Sequence, residues 1–160
     1  MTTTLAVILG FDISPRRIAM AAIDPDSEQV LHTTTATVPY HDDLRMRRQF
    51  IMSMVNNIRA KYDIIAIFLE DAYPGKYKST IVPHAISVGN CEAFLLEREP
   101  DSLVMRLSPA GWRSKAELPQ TGKTAILEWA IAKTGRGLTQ DEADAIGIAV
   151  AGARIWNENT

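Results

Sequence analysis

Apolar and polar positions alternate along this chain with periods that change several times. LAVILGFDI is a nearly continuous apolar run of strand length, too short for a capped helix and suited to a strand covered on both faces. RRIAMAAIDP and EQVLHTTTATV read as two further strands, joined by the turn residues Asp24, Pro25 and Asp26. Three strands in succession predict an antiparallel meander. Between Asp42 and Tyr62 the period lengthens: Leu44, Ile51, Met54, Val55, Ile58 and Tyr62 recur at helical spacing, with the arginines expected on the remaining face. DIIAIFLE returns to strand character, a turn follows at Tyr73 to Gly75, and a helix is predicted from near Pro83 to Glu99. SLVMRLS is a fifth strand. A helix over Gly122 to Lys133 and a terminal helix complete the order β-β-β-α-β-α-β-α-α, which describes a mixed sheet with helices on both faces.

The terminal helix has an unusual make-up. From Ala145 to Ala153 the segment DEADAIGIAVAGA is small or apolar on every face, the pattern of a helix buried all round, yet it opens with three carboxylates. Thr139 and Glu142 spell a capping box, which accounts for Glu142, and the helix dipole favours an acid in the first turn, which accounts equally well for Asp141. Asp144 lies past that turn at the head of the buried run, where an unpaired charge is costly. Asp141 and Asp144, three apart, share a helix face, and Glu142 points elsewhere.

Two more acids belong to the same picture. Asp12 closes the first strand and Glu70 the fourth. If those strands are parallel neighbours, both carboxylates emerge at the sheet edge where α/β proteins place their ligands. Taken singly, Asp12 reads as a turn residue and Glu70 as a solvated strand-end acid. Four carboxylates converging from three segments would repel one another unless a cation lay among them. Hard divalent ions take oxygen ligands, and a pair of them activates water and stabilises the leaving oxygen in phosphodiester cleavage.

Composition narrows the setting. The chain has 160 residues, 46% hydrophobic and 22% charged, which fits one globular domain over residues 1–160. A single cysteine, Cys91, rules out a disulfide framework within the chain and a Cys-rich zinc site, and predicts a buried filler in a reducing compartment. MTTTLAVILGF carries no basic leader and no apolar run reaches bilayer length, so a soluble, cytoplasmic protein with no membrane partner is expected. With 17 basic and 19 acidic residues the net charge is −2, so any nucleic-acid contact requires charge polarised between faces.

The segments GFDISPRRIAMAAID, IFLEDAYPGKYKST, LSPAGWRSKAELPQTGK and DEADAIGIA, in that order, resemble the RuvC family of Holliday junction resolvases, and especially its compact phage-type members, over nearly the whole chain. The resemblance implies a ribonuclease H-like α/β fold: a five-stranded sheet, antiparallel through its first three strands and parallel for the fourth and fifth. It also implies two Mg²⁺ or Mn²⁺ ions per active site, held by Asp12, Glu70, Asp141 and Asp144, with Lys123 near the scissile phosphate. The implied substrate is branched DNA such as a four-way junction, inside a bacterial cell or phage-infected host. Paired nicks imply a homodimer, expected through the helix from Pro83 to Glu99. The chain departs from the pattern in its slightly acidic balance and in a second acid, Asp71, to which the pattern assigns no role.

Basic residues cluster near each acid in sequence: Arg16 and Arg17, then Lys76 and Lys78, then Arg113, Lys115 and Lys123, all candidates for phosphate contact. Lys123 reads equally as a solvated lysine in a first helical turn. Tyr73 and Tyr77 are candidate wedges or simple packing, and Trp112 a sheet-edge cover or a DNA contact. GKT at Gly122 to Thr124 lacks the glycine-rich cradle of a phosphate-binding loop. His32, His41 and His84 show no ligand spacing. Three other readings stay open: a flap or fork nuclease of the same fold, a nucleotide-binding kinase- or ATPase-like domain, and a non-catalytic DNA-binding module.

Overall fold

The computed structural model describes residues 4–39, 43–72 and 78–160, the side chains of 78–80 excepted. The strands are β1 (Ala6–Ile13), β2 (Arg17–Ile23), β3 (Val30–Thr37), β4 (Asp63–Glu70) and β5 (Leu103–Leu107). The helices are α1 (Leu44–Arg59), α2 (Lys78–Arg98), α3 (Pro109–Lys115), α4 (Lys123–Thr134) and α5 (Gln140–Asn159). The strands form one sheet in the order β3-β2-β1-β4-β5, antiparallel at β3-β2-β1 and parallel at β1-β4 and β4-β5. The predicted meander and the predicted parallel pairing of the first and fourth strands are both present.

Alternation along β1 divides the core in two, because successive side chains point to opposite faces. Val7, Leu9, Phe11 and Ile13 join the cluster under α1 and α2, whereas Ile8 joins the cluster under α3, α4 and α5. Gly10 points to the second side, where α5 lies directly on the strand: a Cβ there would stand 2.4 Å from the Ala145 carbonyl oxygen and 2.5 Å from the Ala149 nitrogen. Gly152 makes the same room for Phe68, since its Cβ would fall 2.2 Å from a ring carbon. The small residues of α5 therefore let a central helix sit at backbone distance from the sheet, and every residue from Ala145 to Ala153 is buried.

Three expectations need correction. The second long helix begins at Lys78, five residues before Pro83, which lies inside it. Proline removes one backbone donor, but the helix continues through it because Val88, Cys91 and Leu95 on one face are seated in the core. α3 was not expected: its Ser108 N-cap and Pro109 are start signals, but seven residues around Gly111 are too few to show a helical period. On α1 the arginines do not all face solvent, because Arg47 is fully buried on the same side as Ile51. Its guanidinium donates to the carbonyls of Ser14 (2.9 Å) and Pro15 (2.6 Å), clamping the turn that follows β1. Among the described residues no helix is long and apolar enough to cross a membrane.

Candidate active site

Register brings the acids together. Phe11 pairs with Leu69, so Asp12 and Glu70 are the next residues along adjacent parallel strands, at their carboxyl ends. Asp12 shares the face of Ile8 and Gly10, and Glu70 that of Phe68, so both point toward the side covered by α5. The N-terminus of α5 supplies Asp141 and Asp144 at this end of the sheet.

Their mutual electrostatics establish the proximity. Burial holds the Asp12 carboxyl well above the usual carboxylate range, the charges of Glu70, Asp144 and Asp141 push it further the same way, and Lys123 alone among the described residues pulls it down. Glu70 is raised by burial and by Asp144, against the opposing pull of its bond to Trp112 and of Arg113 and His84. Asp144 is raised by burial and by Asp141, opposed by its bond to Gln140 and by Lys123 and Arg113. Lys123, first residue of α4, and Arg113 on α3 thus act electrostatically on these carboxylates.

Three of the four acids are engaged by protein partners. The Trp112 indole N–H donates to Glu70 Oε2 at 2.5 Å, the Gln140 amide donates to Asp144 Oδ1 at 3.0 Å, and Arg17 pairs with Asp141 at 3.0 Å. The Asp12 carboxylate has no hydrogen-bond partner among the described residues. As the side chains stand, no group of three or more His, Cys, Asp or Glu among the described residues is arranged to hold a metal ion. The two observations agree: the carboxylates lie within Coulombic reach of one another, but three of them are turned onto donors of the protein. The donor set itself is all oxygen, which suits a hard divalent cation.

Glu142 is a different kind of acid. It completes the capping box with Thr139 and accepts from the Thr33 hydroxyl at 2.9 Å; although burial raises its pKa, these bonds lower it by more. Asp71 turns away from Glu70 into an ion pair with Arg106 at 3.0 Å, and Arg106 also holds Glu92 of α2 at 2.5 Å.

The basic residues divide by location. Arg17 and Lys123 stand at the carboxylates, and Arg113, which stacks on Trp112 at 5.2 Å, lies beside them. Arg16 is exposed on the same turn and donates to the Val38 carbonyl. Lys115 sits apart, paired with Glu158, about 20 Å along α5 from Asp144. Lys76, Tyr73, Tyr77 and His41 lie outside the described residues, as does the side chain of Lys78. Cys91 is buried, which pushes its thiol up to about 12.

Three supporting residues were not anticipated. His84 donates from Nε2 to the Ile13 carbonyl at 2.8 Å, next to the site. Gln140 stands four residues before Asp144, a helical spacing that could have been read. Arg47 interrupts the apolar stripe of α1, the one sign in the sequence of a buried structural cation. Trp112 is completely buried in the core cluster between the sheet and α5, which fits its reading as packing over the sheet and not its reading as an exposed DNA contact.

No protein-family model matches the chain, and no curated protein matches it in sequence. Solved structures do match in fold. Thermus thermophilus RuvC in complex with a Holliday junction substrate aligns with a TM-score of 0.74 at 14% identity, covering 96% of this chain and 97% of that one. The yeast mitochondrial Holliday junction resolvase Ydc2 aligns at 0.60 and 16% identity, over 94% of this chain and 78% of that one. The ROK hexokinase from Thermus thermophilus aligns at 0.50 and 19% identity, over 69% of this chain and 38% of that one. The chain therefore has the ribonuclease H-like α/β fold, related in architecture to RuvC-type resolvases at low sequence identity.

Proposed function

We propose that this protein is a metal-dependent endodeoxyribonuclease that cuts branched DNA, the four-way junction foremost. The observation that carries the reading is Asp12, a carboxylate with no donor among the described residues, within electrostatic reach of three other carboxylates at the edge of the sheet. Nothing in the packing requires such a concentration of like charge, and a cation relieves it. Asp12, Glu70, Asp141 and Asp144 are the residues that would hold Mg²⁺ or Mn²⁺, two ions per site, supplying an activated water and charge stabilisation for the leaving oxygen. Lys123, already within electrostatic reach of Asp12 and Asp144, is placed to offset charge that develops on the scissile phosphate. Arg16, Arg17 and Arg113 would position the backbone beside it, and Lys115 would reach phosphates farther out.

Symmetric nicking of a junction needs two sites, hence a homodimer. The outer side of α2 supports that assignment: Val82, Ile86 and Leu96 are 60%, 52% and 53% exposed, a row of apolar side chains on the helix surface turned from the core.

Synthetic four-way junction, flap, fork and linear duplex, each incubated with and without Mg²⁺, test the reading. Paired symmetric nicks on the junction that require Mg²⁺ and vanish in Asp144→Asn are expected. Cleavage of every branched form equally would favour the flap or fork nuclease. ATP hydrolysis without any cutting would replace this reading with a nucleotide-binding one.

A further inference from the structure

Trp112 is completely buried although its indole carries a hydrogen-bond donor. It is the largest fully buried side chain of the described residues, and it comes from α3, a helix of seven residues set by the Ser108 cap. A buried indole N–H needs an acceptor, and the one it finds is Oε2 of Glu70, contributed by a strand 42 residues earlier in the chain. The ring is held on its other sides as well. A Cβ at Gly147 would stand 2.5 Å from its Cζ3, so the indole fills the space that glycine vacates, and the Arg113 guanidinium stacks on it. Leu118, buried in the same cluster, lies against this seat and would stand 3.3 Å from the same Cβ. Gly147 is three residues after Asp144 on α5, roughly one helical turn. The indole therefore ties a carboxylate of β4 to the helix that carries the two aspartates.

We propose that Trp112 is a positioning residue for the candidate metal site: its indole N–H fixes Oε2 of Glu70 and so leaves Oε1 as the oxygen offered to a divalent cation. This inference rests on the reading of Glu70 as a metal ligand. Partners of this kind restrict a ligand's rotamers before the cation arrives, and their loss costs about 10- to 100-fold in metal affinity. A carboxylate freed from the indole would have to be ordered by the cation itself.

The test is Mn²⁺ affinity measured by calorimetry in the absence of DNA, on the intact protein and three variants. Trp112→Phe keeps a ring in the pocket and removes only the donor; it is expected to weaken Mn²⁺ about tenfold. Leu118→Ala loosens the same pocket without touching the N–H; it is expected to lower the melting temperature while keeping Mn²⁺ affinity. Asp144→Asn is expected to abolish binding. A second measurement needs no change at Trp112: the indole ¹⁵N–¹H resonances are followed through a Mg²⁺ titration, those of Trp129 and Trp156 being assigned from their Phe variants. The Trp112 resonance should move and saturate with the cation while the other two stay in place. Asp144-dependent binding that Trp112→Phe leaves intact, or a Trp112 resonance that does not move, overturns the positioning role and leaves the metal site standing. Absence of any Asp144-dependent binding in the unmodified protein overturns the metal site, and the positioning role with it.

Discussion

Replacing Asp12 by Asn removes the charge at the centre of the carboxylate group and keeps the size of the side chain. In the folded chain burial comes first and the neighbours Glu70, Asp144 and Asp141 second in raising this carboxyl, with Lys123 opposing. The folded state therefore binds the proton more tightly than the unfolded state. Its contribution to stability is complete below the unfolded value of about 3.9 and is lost as pH rises through the higher folded value. At neutral pH the ionised group is thus a cost to the metal-free protein. A unit charge roughly 7 Å from another contributes about 2 kcal/mol at an effective dielectric near 20. At that illustrative separation three repelling acids against one lysine would leave a net repulsion of about 5 kcal/mol. Arg17 on Asp141, and Arg113 beside Glu70 and Asp144, compensate part of this, so a gain of about 2 kcal/mol is expected for Asp12→Asn. For a chain of this length that corresponds to a melting temperature about 4 to 8 °C higher. The assay is calorimetric melting in EDTA at about pH 7 and about pH 4, followed by melting with Mn²⁺. The advantage of Asp12→Asn should shrink at the lower pH, and Mn²⁺ should raise the unmodified protein more than the variant. If Asp12→Asn instead melts below the unmodified protein in EDTA at neutral pH, the carboxylate is engaged favourably, and the electrostatic account of the site fails.

Other outcomes follow from single contacts. Gly10→Ala should cost about 3 kcal/mol in urea denaturation, because the new methyl meets the backbone of α5 at Ala145 and Ala149, where nothing flexible can yield. Glu142→Gln should leave stability and cleavage nearly unchanged, while Glu142→Ala should lose about 1 kcal/mol with the capping box, read as a lower melting temperature. Lys123→Ala should depress the cleavage rate far more than junction affinity, as measured under single-turnover conditions. Arg17→Ala should weaken binding and reduce the slope of log affinity against log salt by about 1, as measured by titration at several salt concentrations.

Much of this was legible because it is local. The first four strands follow from apolar runs and turn residues, and the cap of α5 from Thr139 and Glu142, which interact across three positions. The all-apolar character of α5 announced its burial, and the order of Asp12, Glu70, Asp141 and Asp144 along the chain was enough to suggest one site. What periodicity misjudged were places where a tertiary contact outweighs the local rule. Pro83 reads as a helix start, but the apolar face of α2 carries the helix past it. Arg47 was assigned to solvent with the other arginines, but two carbonyls of the β1–β2 turn give its charge a place inside. Trp112 reads equally as sheet-edge packing or as a DNA contact, because the acceptor that lets its indole N–H be buried, Glu70, lies far away in sequence.

The sequence by itself determined the five strands and, α3 apart, which segments become helices, which acids exist to be gathered, and that the last helix is buried, since each depends on interactions within a turn or on the period of one element. Only the tertiary structure decided that β4 lies beside β1, that Asp12 and Glu70 face α5 together, and that Trp112, Gln140 and Arg17 hold three of the four carboxylates. Those facts depend on strand register and on helix-to-sheet distance, set here by the fit of Gly10 against Ala145 and Ala149, and no pattern within a single segment encodes a distance between two.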